Sequence, residues 1–446
     1  MNEASIKPPT STLKGKLREH SPVVLVWLCL LVLPIGRVVE VPVMLMAIAG
    51  IYLCIRHWRR FTADPACRLF ISVFLLAWIP ILMSLPDAVR PESTAMMSIN
   101  HLRFAFSGLF ILYALSTPDA HRRFLALCAW LLLFWVVDGI VQLVVGRDLF
   151  GFPPALYGNT PNLTTRVNAL FGREGLVYGI LLAVLCPLLW EYAGRRWSSW
   201  VTAAVVVATT LAVLAAGTRS AWISVIVILL AYGVVLWRRH GVFPTRLVAA
   251  VAVAGIVAVA GLSAASDKFS SRIENLVGTI TGSTSIENGS IGNNSIGHRI
   301  WIWRAALRMI DDNTLNGVGA GGFRYAYEAY ADHDDPLSRA DPPIRPYHTH
   351  QLWLETLAET GIVGAVGLFA LLTMMVMAGI GAPRQTRRIM LPYGLCLLAA
   401  YFPFNTHMAI YSSFWSQIVW WLIALYCAGY GAALTGSALE RPDPST

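Results

Sequence analysis

His350 stands where a polar loop meets an apolar helix, in the run Tyr347-His348-Thr349-His350-Gln351. An imidazole there is a candidate general base, because its unperturbed pKa of about 6.5 leaves the neutral form available near pH 7. The bland reading is an interfacial hydrogen-bonding histidine. Arg166, Arg173, Arg219 and Arg299 occupy other polar connections. Arg299 opens an expected helix, where backbone N–H groups also favour an anion. His348 and His350 are two apart, so on an extended segment both rings point the same way. A metal site with Asp332, Asp334 or Asp335 is conceivable on that spacing, but none is expected, and no cofactor is implied.

The elements that must position these groups read as membrane. The chain is 56% hydrophobic and 13% charged, whereas a soluble domain carries about 25% charged residues. Apolar runs of spanning length number about twelve: 22–36, 38–55, 67–85, 99–116, 122–145, 170–192, 198–216, 220–237, 246–265, 353–380, 389–404 and 413–434. The expected fold is an all-α polytopic helical bundle with one large outer loop containing short helices, since in lipid every backbone polar group must be satisfied internally. Basic clusters recur on alternate connections, from Lys14, Lys16 and Arg18 to Arg384, Arg387 and Arg388. The positive-inside rule puts those connections and both termini in the cytoplasm, and puts Arg166, Arg173, Arg219, Arg299 and His350 together on the outer side. The net charge of +9 is therefore topology, and nucleic acid is not an expected partner. All seven cysteines lie in or beside apolar segments, so neither a disulfide framework nor a thiolate metal site is expected.

The expected organisation is a cytoplasmic tail (1–21), nine spans (22–265), a polar outer loop (266–350), three spans (351–435) and a short cytoplasmic tail (436–446). Within the loop, Gly278 to Gly297 reads as flexible linker. Ile300, Trp303, Leu307 and Ile310 follow at helical spacing, with Arg304 and Arg308 off the stripe. Such a helix lies along the membrane surface or caps the bundle. Gly317 to Gly322 has no preceding strand and no Walker lysine, so a tight turn is expected rather than a phosphate loop. If a helix runs from His350, an 11-residue step turns about 1,100°, so Gly361 lies beneath the histidine and Gly364 about 40° to one side. Small residues there admit a neighbouring helix. Glu355 and Glu359 fall about 140° and 180° away.

His350-Gln351 followed by Gly361-Ile362-Val363-Gly364 resembles the signature of the O-antigen ligase and O-antigen polymerase superfamily, which includes bacterial oligosaccharyltransferases acting on proteins. His298-Arg299-Ile300-Trp301, Leu315-Asn316-Gly317-Val318-Gly319-Ala320-Gly321, Thr218-Arg219-Ser220 and Arg166-Val167-Asn168-Ala169-Leu170-Phe171-Gly172 are similar to its other motifs. Thr314 stands where a proline is usual, and Arg173-Glu174 departs from the usual segment after Phe171-Gly172.

The resemblance implies glycan transfer from an undecaprenyl diphosphate carrier at the periplasmic face of the inner membrane. His350 would be the catalytic base and Arg219, Arg299 and Arg166 would bind the diphosphate. Gln351, Tyr347, Gly361, Gly364 and Arg173 would support them. The favoured acceptor is lipid A-core, receiving O-antigen polysaccharide. A polymerase or a protein-directed transferase uses the same motif. A lipid or glycan transporter is the competing class and would line its path with intramembrane charges, but the clearest ones here are Arg103 and Asp138.

Overall fold

The computed structural model describes residues 13–157, 164–241, 295–403 and 409–439. Its helices are α1 (Leu13–Leu31), α2 (Glu40–Ala63), α3 (Pro65–Met83), α4 (Pro91–Ala114), α5 (Pro118–Val145), α6 (Gly175–Arg196), α7 (Ser199–Ala215), α8 (Arg219–His240), α9 (Ser295–Asp312), α10 (Phe323–Tyr330), α11 (Leu352–Gly381), α12 (Arg384–Tyr401) and α13 (Ser413–Leu439). Local chemistry sets many starts. Asp64 accepts the Ala66 N–H at 2.8 Å ahead of α3, and Thr117 accepts that of Ala120 at 3.2 Å ahead of α5. Both helices have proline in their first turn, which needs no N–H there.

The helical fold agrees with expectation, and the chain is a multi-pass membrane protein. Seven described helices are long and apolar enough to cross a membrane, and Ser21–Leu31 and Ser199–Ala215 are shorter apolar helices. The expected twelve spans are not reached on that count. One of them, 246–265, lies outside the described residues, as does the loop from 266 to 294. The first expected span is interrupted: a 3-10 segment, Leu33–Val39, turns the chain at Gly36 between α1 and α2. Strands β1 (Ala155–Tyr157) and β2 (Thr164–Arg166) add a small antiparallel ribbon that places Ala155 opposite Arg166.

Helix α6 runs through the middle of the bundle, with α5, α7, α8 and α12 packed around it. Trp135, Tyr178 and Trp190 are fully buried there, and Tyr178 donates its hydroxyl to the Trp135 carbonyl at 2.9 Å. Apolar side chains such as Ile55, Trp58, Trp200 and Phe369 face outward, as a lipid-contacting surface requires. Helices α2 and α4 meet closely at Gly50, where an added Cβ would lie 2.0 Å from the Phe106 carbonyl oxygen.

The part that carries His350 forms a second, smaller core. Ile302, Ala305, Ala306 and Met309 of α9 pack with Phe323 and Tyr327 of α10 and with Ala358. The buried face of α9 is thus rotated from the expected stripe: Trp303 and Ile310 flank it, whereas Ile300 and Leu307 are exposed. Packing on α10 and α11, rather than on the bilayer, chooses the face. The helix also starts earlier than expected, at Ser295, taking the last residues of the expected linker.

Candidate functional site

His350 lies outside the helix that follows it. Gln351 is the cap of α11, its side-chain oxygen accepting the Leu354 N–H at 2.5 Å. His350 itself has φ +57°, a left-handed conformation uncommon for a side-chain-bearing residue. Thr349 is fully buried and locks the turn. Its hydroxyl donates to the Gln351 carbonyl at 2.7 Å and accepts the Gln351 N–H at 3.2 Å. Its carbonyl accepts the indole N–H of Trp303, from α9, at 2.9 Å. The His348 and His350 rings lie together, centroids 4.1 Å apart and tilted by 57°.

The helical projection from His350 therefore fails. Helix α11 also breaks at Gly361, φ +63° and ψ −161°. What approaches Gly361 is not a transmembrane helix but the turn after α9: an added Cβ would lie 2.1 Å from the Leu315 carbonyl oxygen. The N–H groups freed by the break donate into that turn, Ile362 to Thr314 O at 2.9 Å and Val363 to Leu315 O at 3.3 Å. Gly364 faces Thr360 and Thr356 of its own helix. The motif glycines thus serve a backbone kink.

The arginines come from separate elements. Arg219 is the first residue of α8, at the end of the turn 216–218. The Val167 N–H donates to the Ala215 carbonyl at 3.4 Å, which brings Arg166, at the end of β2, alongside that turn. Gln142 holds the same stretch from α5, its side-chain oxygen accepting the N–H groups of Asn168 at 2.8 Å and Ala169 at 2.9 Å. Arg299 lies one turn before Trp303 on α9, on the side that faces the His350 turn. Its first-turn position is corrected: with α9 starting at Ser295, Arg219 rather than Arg299 sits at a helix N-terminus. Arg299 is half-buried, and burial, followed by the charge of Arg219, holds its pKa below the ordinary arginine value. Arg219 is thus near enough for its charge to act on Arg299. Among the described residues, no carboxylate forms an ion pair with either.

Residues 203–369 match the family model described as O-antigen ligase. This segment belongs to the O-antigen ligase family. The match spans α7 to α11 and contains Arg219, Arg299 and His350, while Arg166 and Arg173 precede it. The match supports a membrane glycosyltransferase of the O-antigen ligase and polymerase type. No curated protein matches it.

Several polar residues of the O-antigen ligase segment serve as scaffold. Arg308 pairs with Asp332 and donates to the Tyr330 carbonyl at 2.8 Å. Arg304 lies 3.8 Å from Asp332 and over the Trp301 ring. Asp335 accepts the Tyr327 hydroxyl at 2.6 Å, and Asp334 accepts from Arg339 at 2.5 Å. The three aspartates named as possible metal partners of His348 are thus engaged elsewhere. The glycine-rich Gly317 to Gly322 is a turn, with Gly317, Gly319 and Gly321 at positive φ.

Glu359, a buried acid of α11, fastens that turn. Its carboxylate accepts the Gly321 N–H at 2.6 Å and the Phe323 N–H at 3.2 Å. Glu355 is also buried and accepts the Tyr411 N–H at 3.4 Å. Ionisable residues in an apolar helix signal a specific role, which was the available clue to Glu359. Trp303 and Gln142 had no comparable signal, because their roles depend on contacts distant in sequence. Two intramembrane charges have local partners. Asp138 accepts the Leu149 N–H at 2.8 Å, and Arg103 pairs with Glu40 at 3.2 Å. Tyr347 is 77% exposed, and the Arg324 guanidinium lies 5.6 Å from its ring centroid. Of Arg173, only its backbone, in the 3-10 segment Ala169–Glu174, is described.

Proposed function

We propose that this protein transfers O-antigen polysaccharide from undecaprenyl diphosphate to lipid A-core, at the periplasmic face of the bacterial inner membrane. The observation that supports this reading best is that Arg299, one turn before the tryptophan that holds the His350 turn, feels the charge of Arg219, while among the described residues neither cation has a paired carboxylate. Assembling like charges costs free energy that an anionic ligand recovers. A diphosphate suits such a pair, because each guanidinium offers two parallel N–H donors to phosphate oxygens.

The reaction is a single in-line displacement with inversion. An acceptor hydroxyl oxygen forms a bond to the anomeric carbon of the donor glycan, while the bond from that carbon to the diphosphate oxygen breaks. The acceptor proton passes to His350, and the bonding electrons leave with undecaprenyl diphosphate. Arg219 and Arg299, with Arg166, stabilise the departing charge, a contribution that is commonly the largest in such sites. Base assistance of this kind adds roughly 10²- to 10⁴-fold. Tyr347, Gln351, Gly361, Gly364 and Arg173 take supporting parts, with Gln351 and Gly361 shaping the backbone on which His350 rides. Metal and cofactor have no role in this scheme.

The test is transfer by purified protein supplied with undecaprenyl-diphosphate-linked glycan and lipid A-core, separately and together, followed by gel shift of each lipid. Transfer to lipid A-core by the wild type and its loss in His350→Ala is the expected result. Longer carrier-linked glycan without a lipid A-core product makes the protein a polymerase. Undiminished transfer by His350→Ala removes the histidine from the mechanism, and a product of retained configuration removes the displacement.

A further inference from the structure

Beside the His350 turn lies a group of side chains of which the transfer mechanism uses only Tyr347, in a supporting part. Tyr325, near the start of α10, carries two guanidiniums on its ring: Arg90, ahead of α4, at 4.6 Å from the centroid and Arg324 at 4.5 Å. Arg324 also reaches the exposed ring of Tyr347, three residues before His350. Among the described residues, neither arginine forms an ion pair with a carboxylate. The carboxylate that feels the charge of Arg324, Glu359, is committed to the Gly321 and Phe323 N–H groups. Two cations and two tyrosine rings therefore form one surface.

That surface is built into the fold. The loop before α4 and the first turn of α4 are joined to the glycine-rich turn by Val89 N–H to Val318 O at 2.9 Å, Thr94 Oγ1 to Ala320 O at 3.1 Å and Asn316 Nδ2 to Asp87 Oδ2 at 2.6 Å. The same turn leads directly into α10, whose first residues Glu359 anchors. Arg90 and Arg324, 234 positions apart by their residue numbers, are thus held on one ring by fixed backbone. Tyr325 registers the local potential. Desolvation is the largest single influence on its pKa and raises it, but the hydrogen bond from Arg324, the charges of Arg324 and Arg90 and a bond from Ser93 together lower it.

The paired cations call for an anion, and the exposed ring of Tyr347 offers a face for a sugar ring to stack upon. A phosphate-bearing sugar presents both. We propose that Arg90, Arg324, Tyr325 and Tyr347 form the docking site for the acceptor, and that they select an acceptor whose saccharide carries phosphate groups. The proposal rests on the reading of His350 as the transfer centre. In that reading Arg219 and Arg299 already hold the carrier diphosphate, which leaves this second pair of cations beside the His350 turn to the acceptor.

The experiment uses the full-length protein in detergent or nanodiscs, with lipid A-core either intact or phosphatase-treated. Compared are wild type, Arg90→Gln/Arg324→Gln and the charge-retaining Arg90→Lys/Arg324→Lys, each first checked for an unchanged unfolding temperature. For the glutamine pair, the KM for intact acceptor should rise roughly tenfold or more, the scale of losing a charge-assisted contact. The KM for donor should not move, and the lysine pair should recover part of the loss. With dephosphorylated acceptor the wild type and the glutamine pair should become alike. An unchanged acceptor KM, a raised donor KM, or an equal handicap on both acceptors would overturn the proposal.

Equilibrium binding of the acceptor separates this inference from the transfer reading. Phosphate-dependent binding by wild type, weakened in the glutamine pair, supports the site even in a preparation that transfers nothing. Equal competition by phosphatidylglycerol vesicles would instead make the surface a general lipid-headgroup contact and overturn acceptor selection.

Discussion

The indole N–H of Trp303 donates to the carbonyl of Thr349 at 2.9 Å. That bond joins α9, which carries Arg299, to the backbone immediately before His350. One hydrogen bond thereby relates the proposed anion-binding residue to the proposed base. Trp303→Phe keeps a ring and removes the donor, leaving a carbonyl in a largely buried turn without its partner. Turnover should fall roughly tenfold, since misplacing a reacting group by about 1 Å can cost 10²-fold, while donor binding stays near wild type. Equal losses in turnover and donor affinity would show that the bond holds the whole loop and not the histidine in particular.

Repulsion between Arg219 and Arg299 should be visible in stability. Arg299 has its pKa lowered by burial and then by Arg219, so the folded state disfavours its charged form. The penalty is fully present at pH values below the folded pKa and is relieved as pH rises toward the ordinary arginine value. Across neutral pH it does not vary, and an anion must relieve it instead. Inorganic diphosphate should therefore raise the unfolding temperature of the wild type. Arg219→Gln should be the more stable protein without ligand and gain less from diphosphate. Identical gains in both proteins would remove this pair from anion binding.

Glu359 accepts two backbone N–H groups in a buried site. Glu359→Ala leaves both without an acceptor, a loss of about 1–3 kcal/mol for each buried group left unpaired. The unfolding temperature should drop clearly, and the Gly317 to Gly322 turn should exchange its amide hydrogens faster. An unaltered exchange pattern would show that the turn is held by its other contacts.

Two glycines with similar φ should respond differently to alanine. Gly36 has φ +64° with nothing within 4 Å of an added Cβ, whereas at Gly361, φ +63°, the Cβ would lie 2.1 Å from Leu315 O and 2.6 Å from Asn316 N. Gly36→Ala carries backbone strain alone, about 1–3 kcal/mol. Gly361→Ala adds a collision with backbone that cannot swing aside, so it should disrupt the His350 region and abolish transfer. Comparable thermal stability and activity in the two variants would contradict the packing at Gly361.

Acidification should slow transfer as the imidazole of His350 takes up a proton and ceases to be a base. The arginines stay charged throughout, so donor affinity should change little over the same range. A rate independent of pH from 5 to 8 would argue against histidine as the base.

Much of the chain was legible because membrane burial writes itself into composition. A run of apolar residues is helical wherever it lies in lipid, so the helical architecture follows from the residues. The caps at Asp64 and Thr117 are local in the same sense. The projection from His350 failed because it assumed a continuous helix, while Gln351 starts α11 after the histidine and Gly361 breaks it. Nothing local in Gly361-Ile362-Val363-Gly364 announces the break, which is stabilised by carbonyls of Thr314 and Leu315. The buried face of α9 shifted for a similar reason: its partners are α10 and Ala358.

By itself the sequence determined the class of molecule, the residue types available for chemistry and the motifs that mark the O-antigen ligase family. Those properties depend on hydropathy, charge and short spacing, which are local quantities. Only the tertiary structure decided which arginines meet, that Trp303 holds the His350 turn, that Glu359 anchors α10, and that Arg90 and Arg324 share one tyrosine ring. Each of these relationships joins residues through backbone turns whose geometry is set by long-range hydrogen bonds and packing.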